Sequence, residues 1–460
     1  MGIKMERLKR LGLTIMILSL FCMINFFTSV FAEEEKAQLL NESVQVSLDE
    51  KAAPTSIIDN KLATKYIFET EQTIKVNSNT PIKSIYILFQ HTNNWILLYD
   101  KQITSCGLYG FLHEYVELTY EQNTVEMKFP KDTVICDIQI YSKGEVRSTV
   151  EKWQPPYEDA DMLLLPTHAD DEHIFFGGIM PYYAGQLNKK VQVAYLTNHK
   201  GEWYREHELL EGLWHVGIKA YPVISEFKDL YSESLDHAKK LYNNDEMLAY
   251  QVGLLRRFRP EVVIGHDLNG EYGHGVHMLN AHLLIQAITL SNDSTYMPES
   301  IKKYETFDVP KTYLHLYDKN QITMKIDEPL TSFHNKTAYE MAKEGFAKHK
   351  SQTKYFKVED KGKYDCRKFG LYRSTVGLDK SGNDFFENIK IEEKPVVNFN
   401  KEKTESSNPV TSSTTQVKKE AKAQESLLRT IRGPICVILG IVIILFTLKL
   451  SARKRNRLNR

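Results

Sequence analysis

Ten consecutive residues constrain this chain more than any other stretch. Leu163-Leu164-Leu165-Pro166-Thr167-His168-Ala169-Asp170-Asp171-Glu172 starts as an apolar run and ends in a cluster of proton-moving and metal-ligating side chains. Asp161 and Pro166 bound the apolar part, which reads as a short buried strand. Ile174-Phe175-Phe176-Gly177-Gly178-Ile179-Met180 follows and reads as the apolar opening of a helix. Strand, polar loop and helix place side chains at the carboxyl end of a parallel strand, where open α/β sheets hold their sites.

The residue types then set the chemistry. His168 and Asp171 offer an imidazole and a carboxylate, both good ligands for first-row metals. Asp170 is a second carboxylate beside them, so one of the two can bind while the other works on a water. A site of this kind with an open position lowers the pKa of bound water to about 7 and polarises a carbonyl. The third ligand has to come from elsewhere. His266-Asp267-Leu268-Asn269-Gly270-Glu271-Tyr272-Gly273-His274-Gly275-Val276-His277 supplies candidates, and it follows the β-branched run Glu261-Val262-Val263-Ile264. Either motif alone reads as a solvated turn. Together, each just after a predicted strand, they point to a metal site.

The pair of motifs resembles the PIG-L/LmbE-like family of zinc-dependent N-acetylglucosamine de-N-acetylases, with a H-P-D-D-E loop early and a H-P-D-H type motif late. The resemblance covers roughly Asp159 to Ile389. It implies zinc as cofactor, held by His168, Asp171 and His277, with Asp170 as general base. It implies that His274 steadies the oxyanion or protonates the leaving amine. Two departures stand out: Ala169 replaces the usual proline, and Gly275-Val276 replace the usual proline and aspartate. Neither removes a ligand or the base, but Val276 puts any role of that aspartate in doubt. Arg205 and Glu208 resemble an R-x-x-E feature of the family near the substrate, with an ordinary exposed helical pair as the alternative. His349-Lys350-Ser351-Gln352 resembles a closing segment that lines the cleft. His173, His199, His207, His215, His266, His282, His315, His334 and His349 are expected to be packed or solvated rather than ligating.

The remaining sequence supplies context. Lysine plus arginine and aspartate plus glutamate both total 59, so no global field argues for nucleic acid. Residues 1–32 read as a secretory signal, with a basic start, a long apolar run and Val30-Phe31-Ala32 at its end. An uncleaved anchor is the alternative. Residues 36–53 read as a polar spacer, and 55–153 as a β-sandwich module of short antiparallel strands. That module is weakly similar to galactose-binding-like jelly-roll domains. Its aromatics Trp95 and Tyr109 either stack on sugar or fill the core. Of the five cysteines, Cys106 and Cys136 either pair or remain free, like Cys366. Pro155-Pro156 marks a boundary, after which strand and helix patterns alternate. Residues 159–390 are therefore expected to form an α/β domain with a Rossmann-like parallel sheet.

Residues 395–431 read as a disordered stalk, 433–450 as a transmembrane helix and 451–460 as a basic cytoplasmic tail. The whole reads as a single-pass membrane protein with its catalytic domain outside, at a bacterial cell surface. The expected activity is a zinc-dependent N-deacetylase acting on N-acetylglucosamine-type sugars of a surface glycan or glycoconjugate. Two other functions fit the same residues. One is a carbohydrate-binding protein whose deacetylase-like domain is a non-catalytic scaffold, and the other is a zinc amidohydrolase acting on a non-sugar amide.

Overall fold

A computed structural model describes residues 35–390. The signal, stalk, membrane helix and tail expected at the two ends lie outside those residues. Among the described residues no helix is long and apolar enough to cross a membrane.

The amino-terminal part is an eight-stranded antiparallel sheet: β1 (Val44–Leu48), β2 (Lys51–Ala52), β3 (Tyr66–Ile67), β4 (Gln72–His91), β5 (Trp95–Tyr99), β6 (Gln102–Cys106), β7 (His113–Phe129) and β8 (Val134–Tyr141). Long β4 changes partner along its length. Its first half pairs with β1 and its second half with β8, while β7 follows it throughout with register shifts between Asn77 and Ser84. Ile74 and Val76 from the first half and Ile85, Ile87 and Phe89 from the second meet in one apolar cluster. The sheet therefore folds over a single core, as one hydrogen-bonded sheet rather than two. It also starts earlier than expected. Val44-Gln45-Val46-Ser47-Leu48, read above as spacer, alternates apolar and polar with the period of a strand and pairs with β4. Cys106, Cys136 and Cys366 are all free and buried.

The rest is mixed α/β. Its main sheet contains β9 (Met162–Leu164), β10 (Val191–Tyr195), β11 (Val223–Ile224), β12 (Val262–Gly265), β13 (Lys311–His315), β14 (Gln321–Thr323) and a last strand at Lys368–Ser374, in spatial order β11-β10-β9-β12-β13, last strand, β14. The first five are parallel, and the last strand runs antiparallel to both β13 and β14. The central strands are apolar along their whole length because both faces are covered. Met162, Leu164, Val262 and Ile264 enter one core, and Leu163, Leu165 and Val263 enter the other. Helices Asn244–Phe258 and Gly275–Leu290 close the second face, and Trp203–His215 and Ala338–Phe346 the first. The helix expected to open at Ile174 is instead one turn, Asp171–Ile174, followed by a π-helix at Met180–Gln186.

Strand order reverses between β9 and β12, and such reversals open a crevice at the carboxyl ends of the two strands. Both motifs leave the sheet there.

The expected boundary at Pro155-Pro156 lies beside a packed joint. Phe111 stacks on Tyr221 at 4.5 Å between ring centres, and Trp153 meets Trp214 at 5.4 Å. His113 of β7 sits 2.6 Å from both Glu151 Oε2 and His207 Nδ1.

Candidate active site

The loop after β9 is pinned by its own carboxylate. Asp171 Oδ2 accepts the N–H of His168 at 2.7 Å and that of Thr167 at 3.2 Å. This bend turns the His168 ring back over Asp171. Helix Gly275–Leu290 brings His277 in from the loop after β12.

Three donor atoms converge. His168 Nδ1 lies 3.2 Å from Asp171 Oδ2 and 3.0 Å from His277 Nε2, which is 3.2 Å from the same Oδ2. Bonds of roughly 2.0–2.1 Å at tetrahedral angles would separate ligand atoms by about 3.3 Å. The triangle therefore has the dimensions of a first-row metal site. Its protonation agrees. Burial opposes charge on both histidines, but Asp171 outweighs it, raising His168 to about 9 and His277 to about 10. Burial also works against the Asp171 carboxylate, yet the two imidazoles hold it well below its ordinary range. Two imidazolium N–H groups cannot face each other at 3.0 Å, so one shared proton is the most the gap admits. The site attracts positive charge and has geometry for a cation there.

Each imidazole is held from behind by a carboxylate, which directs its lone pair inward. Asp229 Oδ1 lies 3.2 Å from His168 Nε2. Glu271 Oε2 lies 3.1 Å from His277 Nδ1 and 2.8 Å from His266 Nδ1, and Oε1 lies 2.6 Å from His315 Nδ1. Wholly buried Glu271 stays ionised, since these histidines, His266 foremost, outweigh the burial that opposes its charge. His266 itself is not free to ligate, because its Nε2 accepts the Thr167 N–H at 3.0 Å.

Asp170 sits beside the triangle in a conformation that L residues resist, φ 126° and ψ −29°. Such strain costs on the order of 1–3 kcal/mol. Burial first and the Asp171 charge second raise its carboxyl to about 7, against the pull of Arg205 and His349. Arg205 reaches the site: its guanidinium donates to Ala169 O at 2.7 Å and stands 3.6 Å from Asp170 Oδ2. Glu208 does not reach the three donors. It accepts instead from Ser351, at 3.0 Å from the backbone N–H and 2.6 Å from the hydroxyl. His274 packs edge-on against His168 with ring centres 4.9 Å apart, and its buried Nδ1 has no partner. Burial and the neighbouring imidazoles depress it to about 3, so it is neutral. Exposed Tyr231 covers its outer side at 5.4 Å between ring centres.

Both departures from the family pattern have local reasons. Ala169 donates its N–H to His199 Nε2 at 3.2 Å, a bond proline has no hydrogen to make. Gly275 passes so close to the Ser232–Ser234 segment that a Cβ would fall 2.2 Å from Ser234 O. Val276 is buried in the apolar core, and Glu271 supplies the carboxylate that steadies the late loop.

Sequence reasoning did not assign roles to Asp229, Glu271, His266 or His315. Glu271 lay inside the late motif, and its position between two histidines was the available signal. Asp229 follows β11 in an irregular segment and carried none.

Residues 163–288 match the PIG-L family, described as GlcNAc-PI de-N-acetylase. Among curated proteins, a 1D-myo-inositol 2-acetamido-2-deoxy-alpha-D-glucopyranoside deacetylase 2 of Saccharopolyspora erythraea is 29% identical over 177 residues, covering 33% of this chain and 63% of the relative. A deacetylase of the same name without the numeral, from Acidothermus cellulolyticus, is 27% identical over 158 residues, covering 29% of this chain and 54% of the relative. The chain thus spans less than two thirds of either relative. Among solved structures, the N,N'-diacetylchitobiose deacetylase of Pyrococcus horikoshii aligns with 18% identity and a TM-score of 0.32, over 44% of this chain and 74% of that one. With the motifs, their spacing and the family match in agreement, residues 163–288 of this chain constitute a PIG-L family domain.

Proposed function

We propose that this chain is a metal-dependent hydrolase that removes the acetyl group from N-acetylglucosamine-type sugars. The observation that carries the reading is the triangle of His168 Nδ1, Asp171 Oδ2 and His277 Nε2, 3.0–3.2 Å on each side, with Asp170 next to it. The names of its relatives, all de-N-acetylases of such sugars, support the substrate class.

The donor set fits zinc, which when bound supplies Lewis acidity and acidifies water. The protein's own residues do the rest. Asp170, near pH 7 in its proton affinity, takes the proton of the attacking water as its oxygen bonds to the acetyl carbon. Arg205 holds that carboxylate and the Ala169 carbonyl in place. When the C–N bond breaks, the proton passes from Asp170 to the amine nitrogen, leaving acetate and a free amino sugar. His274 is neutral and half-buried at the mouth. Its N–H therefore suits a hydrogen bond to the oxyanion better than proton delivery.

The reading also includes the location. The basic and apolar start, the stalk and the apolar run before the basic tail support an ectodomain tethered by the carboxyl end, facing a surface glycan. Purified protein loaded with zinc should release acetate from N-acetylglucosamine-bearing glycans. Sugar binding without acetate release would point to a scaffold, and equal release from simple acetamides would point to a non-sugar amidohydrolase. Protease added to intact cells should release the domain, and full protection would overturn the outward topology.

A further inference from the structure

Asp170 depends on a strained backbone, and the structure shows what holds that backbone. Its N–H donates to Glu172 Oε2 at 2.9 Å. The other oxygen, Oε1, faces His349 Nε2 at 3.0 Å, and neither side chain is exposed to solvent. His349 opens the turn whose Ser351 donates twice to Glu208. Glu208 stands on helix Trp203–His215, one turn after Arg205, which grips Asp170 from its side-chain end. One helix thus reaches the base by two routes.

We propose that Glu172 and His349 are positioning residues for Asp170, braced through Ser351 to Glu208, and that they aim its carboxylate by fixing its amide. The inference rests on the hydrolase reading above for what the aim achieves. It gives Glu208 a place in the site without any contact with substrate, and joins residues 170 and 349 into one device.

The same cluster admits another reading. Glu172, His173 and His349 bring donor atoms within 4.8 Å of one another, a set that could take a cation. The atoms that would meet it, Glu172 Oε1, His173 Nε2 and His349 Nε2, have no hydrogen-bond partner, whereas Glu172 Oε2 is committed to the Asp170 amide whether or not a cation is held, so the metal content of the variants separates the two readings.

The test uses the full chain with Glu172→Ala, Glu172→Gln, His349→Ala and Ser351→Ala. A misplaced group of about 1 Å can cost on the order of 10²-fold in rate. Glu172→Ala and His349→Ala should lose about that factor in kcat, with KM and metal content unchanged. Glu172→Gln keeps an oxygen for the Asp170 N–H and should recover part of the loss. Ser351→Ala, at the solvent end of the brace, should fold normally and lose a few-fold in kcat. Wild-type kcat in His349→Ala or in Ser351→Ala, a rise in KM alone, or loss of a second metal equivalent would overturn the proposal. Amide exchange of the peptide spanning 163–176 supplies a readout independent of turnover. The Asp170 amide should exchange slowly in the wild type and faster in Glu172→Ala and His349→Ala. Unchanged protection would overturn the brace, whereas protection that falls as expected in the two variants while the wild type releases no acetate would overturn only the hydrolase reading.

Discussion

Asp171 and Glu172 are consecutive carboxylates, and both are buried against imidazoles. Asp171 faces His168 and His277; Glu172 faces His173 and His349. What lies behind the imidazoles differs. His168 and His277 each have a carboxylate on the far ring nitrogen, Asp229 and Glu271, so their lone pairs are directed at one point. The far Nδ1 atoms of His173 and His349 have no hydrogen-bond partner, and their Nε2 atoms face Glu172 Oε1 at 3.4 and 3.0 Å as ion pairs without hydrogen-bond geometry. Glu172 spends its second oxygen on a backbone amide. The same residue types thus build a donor site on one side of the chain and a brace on the other.

The β module adds a third case. Asp137 is buried with amide donors but no histidine: the Asn60 N–H at 2.9 Å and Gln139 Nε2 at 3.1 Å. Burial dominates, and its carboxyl rises to about 6. Asp171, Glu172 and Glu271 feel the same burial and move the opposite way, because imidazoles outweigh it.

Asp170→Asn should keep the metal and the fold and lose roughly 10²–10⁴-fold in turnover, read from acetate release. Wild-type rates would remove Asp170 from the chemistry. Glu271→Gln should weaken metal binding by about 10–100-fold through His277, measured by competition with a chelator. Equal affinity would show that the carboxylate behind the imidazole does not matter.

The metal-free protein should show a pH signature. The raised values of His168 and His277 mean that the folded state keeps the one proton they share after the unfolded chain has released its own. Their contribution to stability is complete below the ordinary histidine pKa of about 6.5 and is lost as pH rises toward about 9–10. The melting temperature of chelated protein should therefore fall between neutral pH and pH about 10 more than that of zinc-loaded protein, where the cation replaces the proton. Parallel curves would contradict this. The smallest effect belongs to Asp137. Its raised value adds stability below the ordinary aspartate pKa of about 3.9, lost as pH climbs through about 6. Asp137→Asn should flatten that part of the stability curve and raise the melting temperature at pH 7 by a few degrees, on the order of 2–4 °C.

The parallel sheet and the three donors were legible because strand-then-loop is a local pattern, and one loop carries both His168 and Asp171. Asp170 came with them. The supporting shell was less legible, for reasons of distance and geometry. Glu172 and His349 meet across |i−j| = 177 residues only because helix Ala338–Phe346 delivers the turn to the first face of the sheet. Arg205 and Glu208 carry one motif, yet a single turn of helix sends one to Asp170 and the other to Ser351. The strand at Val44–Leu48 was hidden by the charged residues around it, although its alternation was present. Histidines counted as packed or solvated proved to be partners of buried carboxylates, which follows from their charge once the carboxylates are placed.

The most direct test is metal content per chain, measured on the purified wild type, His277→Ala and His349→Ala. The account predicts about one equivalent in the wild type, almost none in His277→Ala and about one in His349→Ala. Two equivalents in the wild type with one lost in each variant, or full content in His277→Ala, would contradict it.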